Sequence, residues 1–284
     1  MPDAPVPPGL YLVATPIGNL EDITLRALRV LKEADLIACE DTRQTQKLLN
    51  HYGISKRTVS YHEHNEMTRA PELIVELEQG ARVALVSDAG MPGISDPGYR
   101  LITLAIRHHL PVVPIPGASA FLAALVASGL PTDSFRFGGF LPAKRGPRRE
   151  LLESLREAPR TQIFYEAPHR VVETLEDVVE MLGAARPVVL AREVTKLHEE
   201  FLRGRAGELL EQLRKREVKG EITLLIGKAE APAEPAATIN NLRARLDALM
   251  GAQQLDEKSA LKLLAKELGV SKSEAYRRVQ RSKK

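Results

Sequence analysis

The stretch 82–100, R-V-A-L-V-S-D-A-G-M-P-G-I-S-D-P-G-Y-R, constrains the fold more than any other part of the chain. Residues 83–86 are a short continuous apolar run, the pattern of a strand buried on both faces of a parallel sheet. The run stops at Ser87-Asp88 and gives way to a loop carrying Gly90, Pro92, Gly93, Pro97 and Gly98. Open α/β sheets bind ligands beyond the carboxyl ends of their strands, so this loop marks a candidate site. Gly90 and Gly93 let backbone approach a ligand closely, while the prolines stiffen the loop. A rigid connection to a helix starting near Asp96 is the plainer alternative. Two acids among so many Gly and Pro exceed what a connection needs.

Strand and helix patterns alternate around this motif, which predicts an α/β fold with a parallel or mostly parallel sheet. Residues 10–14 read as a strand, followed by Thr15-Pro16-Ile17-Gly18-Asn19. Asp22 and Thr24 offer N-caps for a helix with Leu25, Leu28 and Leu31 on one face. Further strands are expected at 36–39, 58–61 and 112–115, with helices over 70–79 and up to about His109. The last of these strands leads into Pro116-Gly117-Ala118-Ser119-Ala120. The N-terminal α/β domain is placed at 1–129, since Gly-Leu-Pro-Thr-Asp (129–133) makes a hinge. A second α/β domain, 130–230, has strand patterns at 135–140, 161–165, 187–191 and 221–226. Its helix over 168–182 carries Val171, Val172, Leu175, Val178 and Leu182 on one face.

Residues 231–238 lie in a Pro/Ala linker, and 239–284 form a small helical module. In that module Asp256 can cap a helix bearing Leu261, Leu264 and Leu268, and Gly269 can end it. Ser271 and Glu274 form a capping-box pattern for a last helix presenting Tyr276, Arg277, Arg278 and Arg281. The outline is that of a helix-turn-helix. Nine Lys or Arg against four acids give residues 256–284 a net charge of +5, while the whole chain carries only +3. The positive charge therefore sits in the tail, and nucleic-acid contact is expected there.

Other classes recede. The single cysteine, Cys39, excludes an internal disulfide and a Cys-based zinc site. His62 and His64 have no matched ligand pattern around them, so no metal is expected. No apolar run reaches membrane-spanning length and the first residues lack a signal pattern, so a cytoplasmic protein without membrane attachment is expected. Residues 15–19 hold one glycine and no lysine, unlike a phosphate-binding loop or a dinucleotide fingerprint. Gly117-Ala118-Ser119-Ala120-Phe121 lacks the second glycine of a nucleophile elbow. Acidic, backbone-rich loops at strand ends suit a ligand without phosphates, such as a sulfonium cofactor.

Six ordered motifs then carry a resemblance: A-T-P-I-G-N-L-E-D-I-T (14–24), E-D-T-R (40–43), the 87–98 loop, P-G-A-S-A (116–120), F-Y-E-A-P-H-R (164–170) and A-R-E-V-T-K (191–196). Together they resemble the ribosomal RNA small subunit methyltransferase I family, within the tetrapyrrole-methylase superfamily. The resemblance runs from about Gly9 to Lys228. It implies a two-domain class III methyltransferase fold whose cleft holds S-adenosyl-L-methionine, and a homodimer. It also implies 2′-O-methylation of a cytidine in the decoding region of 16S ribosomal RNA, in the 30S subunit. Ile17, Gly18, Asp88, Gly90, Met91, Ser119 and Ala120 would surround the methionine and ribose parts. Tyr165, Glu221 and Ile222 would flank the adenine. Met91 stands where the family usually has threonine.

For chemistry, Lys196 or Glu166 is expected to handle the proton, within a wider set of Glu40, Asp41, Arg43, His169, Arg170, Arg192 and Glu193. Arg43, His169 and Arg170 are expected on RNA. The basic segment Lys144, Arg145, Arg148 and Arg149 is read as a mobile RNA-binding loop, because Gly146-Pro147 argues against a helix. Arg203, Arg205, Arg214, Lys215 and Arg216 could extend it. Two other functions stay open at this point: C-methylation of a tetrapyrrole on the same fold, and a non-catalytic helix-turn-helix regulator that senses a small ligand.

Overall fold

Short apolar runs flanked by turn residues build a first sheet, in a computed structural model that describes residues 5–229, 242–253 and 255–281 (252, 253 and 281 for their backbone only). Its strands are β1 (Gly9–Val13), β2 (Leu36–Cys39), β3 (Thr58–Ser60), β4 (Arg82–Val86) and β5 (Val112–Ile115). They lie in the order β3-β2-β4-β1-β5, every pair parallel. Helices α1 (Leu25–Glu33), α2 (Thr42–His51), α3 (Glu66–Glu78) and α4 (Tyr99–Arg107) connect them. β4 is central and covered on both sides, as its unbroken apolar run requires. Val83 and Leu85 pack with Leu10, Leu73 and Leu101, while Ala84 and Val86 pack with Val13, Leu31 and Ile37. From β1 the chain moves towards β2 and β3, and from β4 it returns towards β5. The switch point of the sheet therefore lies between β1 and β4, where a ligand crevice belongs.

Local signals fix most boundaries. The Thr24 side chain accepts from the Ala27 amide and starts α1. α3 begins four residues before the expected 70, with Pro71 inside it. Asn65 organises that start by accepting from the His62 amide and donating to Ser60.

Helix α5 (Ala120–Ser128) leads into a second sheet of β6 (Phe135–Phe140), β7 (Thr161–Glu166), β8 (Pro187–Arg192), β9 (Glu200–Arg205) and β10 (Ile222–Ile226). The order is β6-β7-β10-β8-β9. β6 and β7 run parallel, but β10 is antiparallel to both of its neighbours and β8 to β9, so this sheet is mixed. One face carries α6 (Arg145–Ser154), α7 (Val171–Leu182) and α8 (Ala206–Leu213) over Phe164, Leu190 and Leu224. The other face sets Ile163, Val189 and Leu225 against Ile17, Ala124 and Leu125 of the first half. This packing makes Met1–Ala229 one compact unit. β9 was not expected; half of its six residues are charged, which suits an edge strand.

The sequence Phe137-Gly138-Gly139-Phe140 breaks the β6 register, and Gly139 adopts φ +66°. A Cβ at Gly138 would overlap the Phe164 ring. Gly138→Ala is therefore expected to cost about 1–3 kcal/mol, read from the urea midpoint.

Residues 144–149 correct the loop expectation. Arg145, Gly146 and Pro147 form the first turn of α6, where the missing proline N–H has no intrahelical acceptor to forgo.

The second unit is a three-helix module: α9 (Leu242–Gln253), α10 (Glu257–Glu267) and α11 (Lys272–Arg281). Leu242, Leu246, Leu249, Leu261, Leu264 and Val279 form its core. Asp256 caps α10 by accepting from the Ser259 amide at 3.1 Å, Gly269 turns the chain with φ +62°, and the Ser271 hydroxyl accepts from the Glu274 amide. The expected linker at 231–238 and the side chain of Arg281 lie outside the described residues.

Candidate active site

The loops that follow β1 and β4 are joined by their main chains. The Thr15 amide donates to Gly90 O at 2.9 Å, and the Gly90 amide donates back to Thr15 O at 3.0 Å. The Thr15 hydroxyl adds a bond to Ser87 O. Gly90 sits at φ +81°, a backbone that side-chain-bearing residues rarely adopt. Beyond this seam opens a cavity of about 600 Å³. Its walls come from four places: Ile17 after β1; Gly90, Met91, Ile94 and Asp96 after β4; Gly117, Ser119, Ala120 and Phe121 at the start of α5; and Phe140, Tyr165, Ala191, Val194, Glu221 and Ile222 from the second sheet. The lining is mostly apolar with a few polar groups, the makeup of a small-molecule site.

Two features give the cavity direction. α5 starts at its wall with Ser119 making no side-chain cap, so the first-turn N–H groups other than that of Phe121 are available to a carboxylate. Opposite, the Tyr165 hydroxyl receives the Phe121 backbone N–H, and burial pushes this phenol above its usual range. Phe137 stacks on Phe121 at 4.4 Å and meets Tyr165 edge-on, which fixes the ring.

Eight of the ten residues expected around the cofactor line this cavity: Ile17, Gly90, Met91, Ser119, Ala120, Tyr165, Glu221 and Ile222. Gly18 and Asp88 do not. Gly18 lies under the stem of Lys196, with no room for a Cβ, and Asp88 Oδ1 accepts from the Asp41 amide at 3.2 Å. Asp96, eight residues later in the same loop, occupies the wall instead. The second Ser-Asp of the 87–98 motif was the available signal.

The residues expected to move a proton are already engaged. Glu166 is fully buried: Oε1 pairs with Arg170 at 2.6 Å and accepts from the Ala167 amide, and Oε2 accepts from the Thr174 hydroxyl. Lys196 Nζ bonds Glu193 at 2.9 Å and Glu221 at 3.3 Å. Burial opposes its charge, but these carboxylates outweigh it and hold the ammonium protonated above its usual range. It is a fixed cation, not a proton acceptor. Glu40 lies outside the cavity wall; burial, with Asp88 and Glu63 adding, pushes its carboxyl up.

The expected RNA contacts divide in the same way. Arg148 is buried against Asp177, while Arg145 and Arg149 pair with Asp177 and Glu180, so this segment is a structural ion-pair cluster on α6 and α7. Arg170 is spent on Glu166. Arg43 is exposed and chelated by Asp41, whose carboxyl it holds down to about 2. Arg192 and Arg216 share Glu200, Arg214 pairs with Glu176, and Arg203 donates to the carbonyls of Ala127 and Ser128. Lys144 and His169 are exposed. Arg277 and Arg278 pair with Glu274 within α11.

Comparison with known proteins adds three findings. The family described as Tetrapyrrole (Corrin/Porphyrin) Methylases matches residues 9–210. Proteins named ribosomal RNA small subunit methyltransferase I are similar over nearly the whole chain. That of Mesorhizobium japonicum is 50% identical over 98% of this chain and 94% of its own, and that of Halalkalibacterium halodurans 49% over 94% and 93%. Among solved structures, diphthine synthase superposes with a TM-score of 0.61 at 18% identity, covering 77% of this chain and 89% of its own. Uroporphyrin-III C-methyltransferase from Thermus thermophilus, complexed with S-adenyl homocysteine, gives 0.54 at 23%, covering 78% and 98%. These two likenesses concern the fold.

Proposed function

The chain belongs to the tetrapyrrole (corrin/porphyrin) methylase family and to its ribosomal RNA small subunit methyltransferase I branch, and on that premise we propose its reaction. It methylates 16S ribosomal RNA in the small ribosomal subunit, using S-adenosylmethionine, and the acceptor is the 2′-hydroxyl of a ribose. The observation that carries the reading is the cavity at the β1–β4 switch point, closed by the second sheet. Its parts fit the cofactor: uncapped α5 amides for the carboxylate, apolar Ile17, Met91 and Ala120 for the aliphatic stem, and Tyr165, Glu221 and Ile222 for the adenine.

When bound, S-adenosylmethionine supplies an electrophilic methyl group. The chain's own contribution is chiefly to position and to exclude water, since an in-line displacement gains most from alignment. Lys196, held between Glu193 and Glu221, is a fixed positive charge next to a residue of the cavity wall. Glu193 and Thr195 hold left-handed backbones at φ 52° and 68°, and the Thr195 hydroxyl accepts from the Asn19 amide across the cleft. This loop keeps the two sheets in register around the ligand.

The test is methyl incorporation into purified 30S particles with mass mapping of the modified nucleoside, beside naked 16S RNA and a porphyrinoid. A 2′-O-methylated cytidine in the particle is the expected product; methylation of the porphyrinoid alone would defeat the reading. Deleting residues 238–284 is expected to lower particle methylation at least about tenfold through lost phosphate contacts, while S-adenosylhomocysteine affinity by calorimetry stays unchanged. The assembly we propose is a cytoplasmic homodimer. Its support is α5, apolar all round yet with Val126 75% exposed, and sedimentation velocity checks it.

A further inference from the structure

A second cavity, of about 390 Å³, opens where β6 and β7 begin, at the other end of these strands from the first. Arg136 and Gln162 stand side by side in the parallel β6–β7 pair, so their side chains leave the same face of the sheet. The rest of the wall comes from the end of α6 and the turn after it, up to Arg160.

Most arginines around this cavity are spent. Arg145, Arg148 and Arg149 hold acids of α7, Arg156 pairs with Glu153, and Arg186 donates to the carbonyls of Arg156 and Gly227. Those in its wall are not. Arg136, Arg160 and Glu157 are exposed, and no ion pair or hydrogen bond engages their side chains among the described residues. Gln162 is only 2% exposed. Its Nε2 donates to the Arg160 carbonyl at 3.0 Å, which sets the orientation of the amide, and its Oε1 is buried and accepts from nothing. A buried acceptor without a donor carries a cost that native structures rarely leave unmet.

This mixture narrows the ligand class. An apolar molecule would leave every one of these groups unanswered. A bare phosphate would suit the two guanidinium groups and give little to Gln162 and Glu157. A nucleotide carries the anion together with N–H and O–H donors on its base and ribose. Position favours a polynucleotide. β6 is an edge strand, with Arg136 in this wall and Phe140, 60% exposed, in the wall of the first cavity. Four residues of strand span roughly 10–13 Å, so a chain engaged at the first cavity is within a few nucleotides of the second.

We propose that the second cavity binds one nucleotide of the RNA substrate. Its phosphate lies on Arg136 and Arg160, and a base or ribose donor meets Gln162 Oε1 as the unpaired arginines turn to take that phosphate. The assignment rests on the methyltransferase reading above. It is a docking contact away from the chemistry, so it governs affinity for the particle and not the methyl transfer.

The experiment measures the Kd for 30S particles by cosedimentation, and KM and kcat for their methylation. It compares wild type with Arg136→Ala/Arg160→Ala, Gln162→Leu and Arg107→Ala. In the double variant, particle Kd and KM should rise at least about tenfold, with kcat and the S-adenosylhomocysteine Kd within about twofold of wild type. The slope of log Kd against log salt should flatten by about 1, the share of one phosphate contact. Gln162→Leu should weaken particle binding about fivefold with that slope unchanged, since the lost group is uncharged, and its melting temperature should not fall. Arg107, exposed on α4 and also without a partner among the described residues, reports diffuse attraction, and its loss should shift Kd less than about twofold. A double variant with Kd near wild type, or an equal loss per charge at Arg107, overturns the assignment. Cytidine 5′-monophosphate bound tighter than about 10 μM by calorimetry, with particle affinity unaltered in the variants, gives the cavity to a free nucleotide and overturns it too. Binding is read without turnover. Wild type that holds particles but methylates nothing in them defeats the reaction reading, while a weakened double variant still upholds the cavity assignment; wild type that holds no particle overturns both.

Discussion

Arg148→Ala is expected to destabilise the protein by about 3–5 kcal/mol, visible as a fall in the urea midpoint with no change in slope. Arg148 and Asp177 have 1% and 0% of their side chains exposed, and they meet through Nε at 2.8 Å and Nη2 at 2.7 Å. Removing the guanidinium leaves a buried carboxylate in the middle of α7 with one remaining partner, Arg145, whose own side chain is 62% exposed. Arg149→Ala, which breaks a surface pair with Glu180, should cost less than about 1 kcal/mol. Replacing Arg148 and Asp177 together by Met and Leu should recover most of the loss, because a hydrophobic pair of similar size avoids the desolvation of both charges. A stable Arg148→Ala protein with weakened RNA binding would return this segment to the role its charge suggests in the sequence.

Ala120→Trp is expected to abolish cofactor binding while sparing the fold. Ala120 is the first residue of α5 and stands in the cavity wall beside Ser119. An indole brings roughly 150–250 Å² of surface, which would compete for the space that a ligand needs in a cavity of about 600 Å³. The S-adenosylhomocysteine Kd should rise at least about 100-fold by calorimetry, and methyl transfer should fall below detection. The melting temperature should stay close to wild type, since Trp at the first turn of a helix fills space open to the cavity. Unchanged affinity would place the ligand elsewhere.

Most of the first sheet was legible because four of its five strands are short, largely apolar runs closed by turn residues; β3, Thr58-Val59-Ser60, is the exception. The runs at 36–39 and 112–115 became β2 and β5 with their expected ends. β9 was hidden for the opposite reason: Glu200-Phe201-Leu202-Arg203-Gly204-Arg205 pairs on one side only, and its pattern is dominated by charge. Gly146-Pro147 misled because the bar on proline applies to helix interiors, and these residues sit in the first turn of α6. Most of the cavity wall could be named from motifs, since glycines and small residues at strand ends mark close approach. Side-chain roles could not. Glu166, Arg170, Arg148 and Lys196 stand in segments that advertise chemistry, but Glu166 and Arg170 pair with each other, and Arg148 and Lys196 find Asp177 and Glu221 from segments far away in sequence. Asp88 and Asp96 look alike on paper. The loop turns back at Gly90 and Gly93, both with φ +81°, and carries the later acid, not the earlier one, to the cavity wall.

The reciprocal pair of main-chain hydrogen bonds between Thr15 and Gly90 has a further bearing. Those contacts are made by main-chain atoms, so the frame of the crevice depends on the glycine at 90 and not on the side chains that line the cavity. On the proposed reading, trimming Ile17 or Met91 is expected to enlarge the cavity while this frame persists. That makes this position a natural starting point for retooling the enzyme toward synthetic alkyl groups.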